Sequence, residues 1–421
     1  MNFIRFIKES LKIVIRGSKR YYLWLAFLFA LIIWGSTGYI QQLKYGLLVT
    51  NMRDPVSWAF YIGNFTFLVG VAAAAIMLVI PAYIYNWKPI KEVVIFGELL
   101  AISAVIMCML FVIVDIGNPL RLWHMIPVLG KLNLPSSLLA WDSVVLSGYF
   151  LLNLIVVSYL LYKLFYKKEY NTKILTPLIL FSIPVAIGIH TVTAFLYNGF
   201  AGRPYWNSAL LAPKFLASAF CSGPAVLLIL FQILRKYTTF EIKEEAIWKI
   251  AELMAYAMFI NLFFFFAEVF KEIYSDTEHL VHLKYLFVGV GENRDIVLYG
   301  WTSLIISIIA FLLFLIPATR KNVITLNIGA ILIWLGVYIE KGIALLIPGF
   351  TPDVLGQIYI YRPSLTEIKI AMGIFAIGFL IFTLMTKIAI AINFENFNID
   401  TLRRKKTPST QPSTSQPSPA Q

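Results

Sequence analysis

The chain has 421 residues, 59% of them hydrophobic and 14% charged, with a mean hydropathy of +0.78. A soluble globular chain carries about a quarter charged residues, so a water-soluble domain is excluded and the apolar surface must be buried in lipid. The net charge of +13 lies at the chain ends and in short connections, where a basic face beside anionic lipid accounts for it without a nucleic-acid partner.

A helix needs roughly 20 mostly apolar residues to cross a hydrocarbon core about 30 Å thick. Ten such stretches are predicted, at about 21–43, 56–85, 93–114, 141–166, 173–197, 209–235, 246–274, 296–317, 323–347 and 367–393. The expected fold class is all-α, a polytopic membrane protein with ten transmembrane helices. Ahead of them, residues 1–20 alternate Arg5, Lys8, Lys12 and Arg16 with Phe3, Ile4, Ile7, Leu11 and Ile15. That pattern predicts a basic interfacial helix rather than a cleaved signal. Residues 394–421 are basic in "RRKK" (403–406) and then rich in Pro, Ser, Thr and Gln, a composition that cannot bury enough to fold. Along ten crossings, 23 of the 35 Lys and Arg fall on the N-terminal face and 12 on the other. The positive-inside rule then places both termini in the cytoplasm, with the chain in the cytoplasmic membrane.

In that orientation odd-numbered spans run outward. Ionisable residues within them are costly in lipid and are candidates for function by default. Span three carries Glu98 about two turns from its inner end and Asp115 at its outer end, about 25 Å apart along the helix. It closes in "DIGNPLRLWHMI" (115–126), where Asp115, Arg121, Trp123 and His124 arrive together. Either Asp115 pairs with Arg121 to end the helix while Trp123 anchors at the interface, or the outer rim carries chemistry. Asp142 opens span four on the same side, and Tyr149 lies further in. His190 lies about two-thirds of the way out along span five. There an imidazole needs a hydrogen-bond partner and titrates near neutrality.

The connection after span five supplies Asn198, Arg203, Tyr205, Trp206 and Asn207, and Lys214 opens span six. Pro184 and Gly188 in span five, then Gly223 and Pro224 in span six, predict helix breaks that line a cavity. Glu252 lies at the inner level of span seven and Glu268 in its outer half. Glu340 and Lys341 lie in the outer half of span nine. Lys214 and Lys341 have a plainer reading as snorkelling side chains. Glu98, Glu252, Glu268 and Glu340 are the candidates for a proton path.

Cys108 and Cys221 lack iron–sulfur spacing. His190 is the one histidine well inside a span, so no haem held by two histidines is expected. His279 and His282 of "HLVH" fall in an outer loop and read as solvated rather than as metal ligands, and no metal site is predicted. The aromatic, polar-tipped wall at the bilayer edge suits the planar head group of a quinone. Its carbonyls need donors and its two protons need nearby acids and bases.

At two stretches the sequence resembles the NrfD/polysulfide-reductase membrane subunits. "DIGNPLRLWHM" is similar to the motif closing that family's third helix. "HTVTAFLYNGFAGRPYWNSALLAPKFLASAFCSGPAVLLIL" (190–230) is closer to its ten-span branch, found in Hdr-like menaquinol-oxidising complexes associated with sulfite reductase. The resemblance implies two adjacent four-helix bundles, 56–197 and 209–347, within a membrane domain of 21–393, with spans one and ten flanking. It implies exchangeable menaquinone at an outer-face pocket, no haem or iron–sulfur cluster in this chain, and an extracytoplasmic ferredoxin-like iron–sulfur partner beside further cytochrome and membrane subunits. The first motif carries over Asp115, Arg121 and His124, and the second His190, Arg203, Trp206 and Lys214; with Asp142, taken from its place at the outer start of span four, His124, His190 and Asp115 are candidates for proton exchange, and Arg121, Arg203, Trp206 and Lys214 for quinone binding. Tyr149 and Asn198 stand for the tyrosine and asparagine of the eight-span members. Two additional spans depart from that eight-span pattern.

Two other readings compete with a quinone-reactive subunit. A proton-coupled transporter would show buried acids and broken spans, although no inverted repeat is evident. An inert anchor would need its outer polar residues for assembly alone.

Overall fold

The computed structural model describes residues 2–394 except 73, 127, 128, 201 and 239. The tail expected to be basic and unfolded falls on 395–421 and lies outside the described residues. Ten helices are long and apolar enough to cross a membrane: Lys19–Val49, Phe60–Ile84, Val94–Asp115, Leu138–Phe165, Thr172–Asn198, Leu211–Tyr237, Glu244–Ser275, Val297–Leu315, Val323–Phe350 and Leu365–Ile392. They are spans one to ten. An unsatisfied peptide group in hydrocarbon costs several kcal/mol, so each apolar stretch closes its backbone bonds within itself. Among the described residues there is no strand.

Polar residues fix where the spans begin. Ser18 accepts from the Tyr21 amide, Ser137 from Ala140 and Asn322 from Ile324. Span ten opens with a reciprocal capping box, in which the Ser364 amide donates to Glu367 and the Glu367 amide donates to the Ser364 hydroxyl. The helix Asn2–Ile15 precedes span one and docks Phe6 edge-on against Tyr162 and Phe165 at the end of span four. Its Phe3, Ile4, Leu11 and Ile15 remain exposed, as an interfacial helix requires.

Spans two to five pack as one group and spans six to nine as a second, with span two and span five meeting span six at the junction. Spans one and ten pack on each other, and span ten leans on span three, which span one meets through Gln42 Nε2 donating to the Val114 carbonyl. The close approach of spans one and ten depends on Gly35, where a Cβ would lie 2.6 Å from the Gly373 Cα. The fold therefore has two four-helix bundles and two flanking helices. Span one starts at the terminal face, and the opposite face is the far face.

Three expectations are corrected. Spans five and six run unbroken through Pro184 and Pro224, because a proline removes one backbone bond without parting the turns around it when neighbouring helices hold them. The irregular turns lie elsewhere, as wide i→i+5 turns at Ile80–Ile84 in span two and Glu340–Ala344 in span nine. Second, span three starts at Val94, so Glu98 is about one turn in rather than two. Third, "HLVH" opens a helix, His279–Phe287, in which His282 is buried with its ring 5.8 Å from that of Tyr205. An amphipathic segment packed under the 5–6 connection is not a solvated loop.

Candidate functional site

The sequence "HTVTAFLY" places His190, Thr193 and Tyr197 at i, i+3 and i+7, one stripe of span five. All three are buried, and each has a distinct anchor. His190 Nδ1 lies 2.8 Å from the Ala186 carbonyl. A carbonyl only accepts, so Nδ1 carries the proton and Nε2 is an acceptor. Nε2 has no hydrogen-bond partner among the described residues. Thr193 Oγ1 donates to Asp142 Oδ1 at 2.9 Å. Thr66 of span two donates to the Ile62 carbonyl, which leaves Tyr197 to donate to the Thr66 hydroxyl.

His190 faces the junction of the bundles. There a cavity of about 10 Å³ is walled by Thr66 and Gly70 of span two, His190, Phe215, Ser218 and Ser222 of span six, and Val337 and Lys341 of span nine. It has room for about one water. Towards the far face an aromatic layer covers it. Trp206 packs against Tyr197 at 5.2 Å and Trp58 at 6.4 Å between centroids, and Tyr197 against Phe215 at 5.9 Å.

The 5–6 connection is clamped to the wide turn in span nine. Tyr205 Oη donates to the Ala344 carbonyl at 3.1 Å, and Trp206 Nε1 to the Leu345 carbonyl at 2.8 Å. Arg203 Nη1 donates to the Phe350 carbonyl at 3.0 Å, with its guanidinium 4.9 Å from the Phe350 ring centre. Burial, then the Glu268 and Glu340 carboxylates, raise the Tyr205 phenol above its ordinary range, which keeps it a donor. Asn198 donates to the Ser208 carbonyl within the same connection. Arg203, Asn198 and Trp206 thus hold the cover in place.

Inside the second bundle, Lys214 Nζ lies 3.2 Å from Glu268 Oε2 and 3.8 Å from Glu340 Oε1. Asn261 Nδ2 donates to Glu340 Oε2 at 3.3 Å. Lys341 is buried, with Nζ 3.5 Å from the Phe215 ring centre. Neither lysine snorkels, because each is held by a fixed partner within the bundle.

The remaining candidates lie apart. Glu98 is buried in the terminal half of the first bundle, beside a second cavity of about 10 Å³ lined by Tyr149, Asn153 and Ser182. Tyr149 Oη donates to the Ala72 carbonyl at 3.1 Å, so it faces Glu98 and not the His190 cavity. Glu252 is half-buried at the terminal face, 3.3 Å from Lys249 and 3.8 Å from Arg320. Asp115 Oδ1 is buried with no hydrogen-bond partner among the described residues. Arg121 and His124 are exposed on the 3₁₀ segment Pro119–Met125. The Asp115–Arg121 ion pair does not form, since the segment carries Arg121 out towards the surface.

Reasoning from the sequence passed over Thr66, Thr193, Tyr197 and Ser222, and underrated Lys341. The stripe spacing around His190 was the available signal for Thr193 and Tyr197. Nothing local marks Thr66 and Ser222, which are hydroxyls within apolar helices.

The sequence profile described as "Polysulphide reductase, NrfD" matches residues 48–352. The "Hdr-like menaquinol oxidoreductase integral membrane subunit" of Archaeoglobus fulgidus is 24% identical over 385 residues, 88% of this chain and 93% of that protein. A selenate reductase subunit of Mesobacillus selenatarsenatis is 23% identical over 397 residues, 84% of this chain and 90% of its own. The "Menaquinone reductase, integral membrane subunit" of Nitratidesulfovibrio vulgaris is 28% identical over 104 residues, a quarter of each chain. With ten membrane-length helices and a family match running from the end of span one to the end of span nine, this chain belongs to the NrfD polysulphide reductase family.

Proposed function

We propose that this chain is the quinone-reactive membrane subunit of a respiratory oxidoreductase complex. It exchanges electrons between menaquinol or menaquinone and an extracytoplasmic iron–sulfur subunit, and it is not a complete enzyme alone. The observation that carries this reading is His190, buried in the far half with an accepting, unpartnered Nε2. Quinol oxidation releases two protons with two electrons. His190 Nε2 accepts one of the two, and Asp142, held by Thr193 three residues along the same stripe of span five, is the acceptor for the other. The names of two relatives, a menaquinol oxidoreductase subunit and a menaquinone reductase subunit, support the substrate class.

An accepting Nε2 suits the hydroxyl of a quinol, but the cavity of about 10 Å³ does not hold a head group, since ligand pockets run to several hundred Å³. The head group therefore reaches His190 only when the Trp206–Tyr197–Phe215 layer parts. The basic terminal face is cytoplasmic on the positive-inside argument, and the iron–sulfur partner docks on the far face beside Arg121 and His124. Of the four glutamates, Glu98, Glu268 and Glu340 are assigned to proton handling. Glu252 is assigned to its ion pairs with Lys249 and Arg320.

The test is binding of a quinol-site analogue to the purified chain. His190→Ala and Asp142→Asn should each weaken it at least tenfold, while Glu252→Gln leaves it unchanged. Tight binding that survives both changes would remove this assignment. Solute uptake by proteoliposomes without a redox partner would favour a transporter instead.

A further inference from the structure

We propose that one bridging water joins His190 to Lys341 and makes the junction between the bundles a proton link, so that protonation of the imidazole is transmitted to Lys214, Glu268 and Glu340. The link extends the reading above and rests on it for the role of His190 as a proton acceptor; the proton that crosses the link is the one Lys341 carries.

The cavity supplies the place and the polarity. A buried water needs two to four polar partners and a space of roughly 10–15 Å³. The walls present His190 Nε2 and Ser222 Oγ, neither with a hydrogen-bond partner among the described residues, together with Lys341. An ammonium only donates, and His190 Nε2 only accepts while Nδ1 holds its proton on Ala186. A water of that size joins them: its oxygen accepts from Lys341, and its two hydrogens go to His190 Nε2 and Ser222 Oγ.

Span nine supplies the connection. Adjacent helical residues point about 100° apart, and the wide turn begins at Glu340. Glu340 is directed to Lys214 and Asn261 in the second bundle, while Lys341 lies on the junction over Phe215. Among the described residues no carboxylate lies within ion-pair distance of Lys341. One element therefore gives an acid to one side and a base to the other. The other titratable groups acting on the pair are Lys214 and Cys221 on span six, Glu268 on span seven and Glu340 on span nine.

The proton count balances. An imidazolium and an ammonium around one water repel each other. As Nε2 gains a proton from the water, Lys341 returns one to the water and becomes a neutral amine. No proton is created or lost, and the positive charge has moved from span nine to span five. Glu340, Lys214 and Glu268 then face one positive charge fewer.

The test uses the full chain in lipid nanodiscs without quinone. Infrared titration follows the carboxyl bands that disappear in Glu268→Gln and Glu340→Gln. Comparison of wild type with His190→Gln should show their midpoint displaced by about one pH unit. That displacement should vanish in a Lys341→Met background. It should also vanish with Gly70→Ala, whose added Cβ lies on the cavity wall 2.9 Å from Ser222 Oγ and removes no polar group. Should Lys341→Met fail to fold, Gly70→Ala carries the test alone. Equal midpoints in wild type and His190→Gln, or a displacement that survives Gly70→Ala, would overturn the link. Quinol-analogue binding in the same samples separates the two proposals: binding retained with no displacement removes the link only, and displacement without binding removes the quinone assignment only.

Discussion

Thr193 Oγ1 donates to Asp142 Oδ1 across 2.9 Å, with both side chains sealed from solvent. This bond ties span five to span four one turn from His190, so it both holds the carboxylate and fixes the stripe that carries the imidazole. Thr193→Val keeps the shape and removes the donor. A hydrogen bond to a charged group is worth about 1.5–3 kcal/mol, so the variant should lose stability of that order in thermal denaturation. Thr193→Ser should restore most of it. A variant as stable as wild type would show that Asp142 finds another donor.

At the far face Glu367 gathers three donors from two segments: the Asn51 amide at 3.0 Å, and from the connection before span ten the Ser364 amide at 2.8 Å and the Tyr361 hydroxyl. Burial, then the Glu367 carboxylate, raise the Tyr361 phenol above its ordinary value of 10.0. The folded chain thus holds that proton to higher pH than the unfolded chain does. Its contribution to stability is full below about pH 10 and is lost as pH rises beyond it, by up to about 1.4 kcal/mol per pH unit. Tyr361→Phe should make the alkaline decline shallower. An identical decline in both proteins would show that Tyr361 takes no part.

Lys214 stands between Glu268 and Glu340. Lys214→Met would leave two carboxylates facing each other in a membrane interior, whereas a triple change with Glu268→Gln and Glu340→Gln leaves no charge behind. Removing one partner from a buried pair costs about 3–5 kcal/mol, and replacing the whole set is often neutral. These side chains retain 14–22% of their exposure, so the lower end applies. The single variant should denature well before wild type, and the triple variant should recover most of the loss.

Arg121 and His124 are exposed and make no side-chain hydrogen bond among the described residues. Alanine at either position should leave stability within about 0.5 kcal/mol. Their expected effect is on docking at the far face, as a weaker and more salt-sensitive association with the partner subunit. Loss of quinol-analogue binding by the isolated chain would instead return them to the quinone site.

The ten spans were legible because lipid imposes one rule on length and hydropathy, and that rule leaves long apolar runs such as Val94–Asp115. His190 and Asp142 were legible for the related reason that polar groups in such runs need an explanation. Their grouping was not. Thr66 meets Tyr197 across 131 residues of chain, and no local spacing encodes which helices become neighbours. Prolines misled because Pro184 and Pro224 lie in continuous helices, while the wide turn at Glu340–Ala344 contains no proline to announce it.

Beyond that turn, in Leu346–Phe350, Gly349 is the tightest position at the far end of span nine. A Cβ there would lie 2.0 Å from Trp206 Cε2 and 2.1 Å from its Nε1, on the ring whose N–H donates to Leu345. Backbone on one side and an indole packed by Tyr197, Trp58 and Phe350 on the other leave no inexpensive relaxation. Gly349→Ala must therefore push Trp206 off span nine, at a cost of about 1–3 kcal/mol, and loosen the cover over the His190 cavity. Hydrogen exchange at the Trp206 indole, protected in wild type, should accelerate in the variant. Gly349→Ala combined with Trp206→Ala should regain part of the lost stability, because the methyl then has space. Unchanged indole exchange in Gly349→Ala would show that span nine, rather than Trp206, gives way.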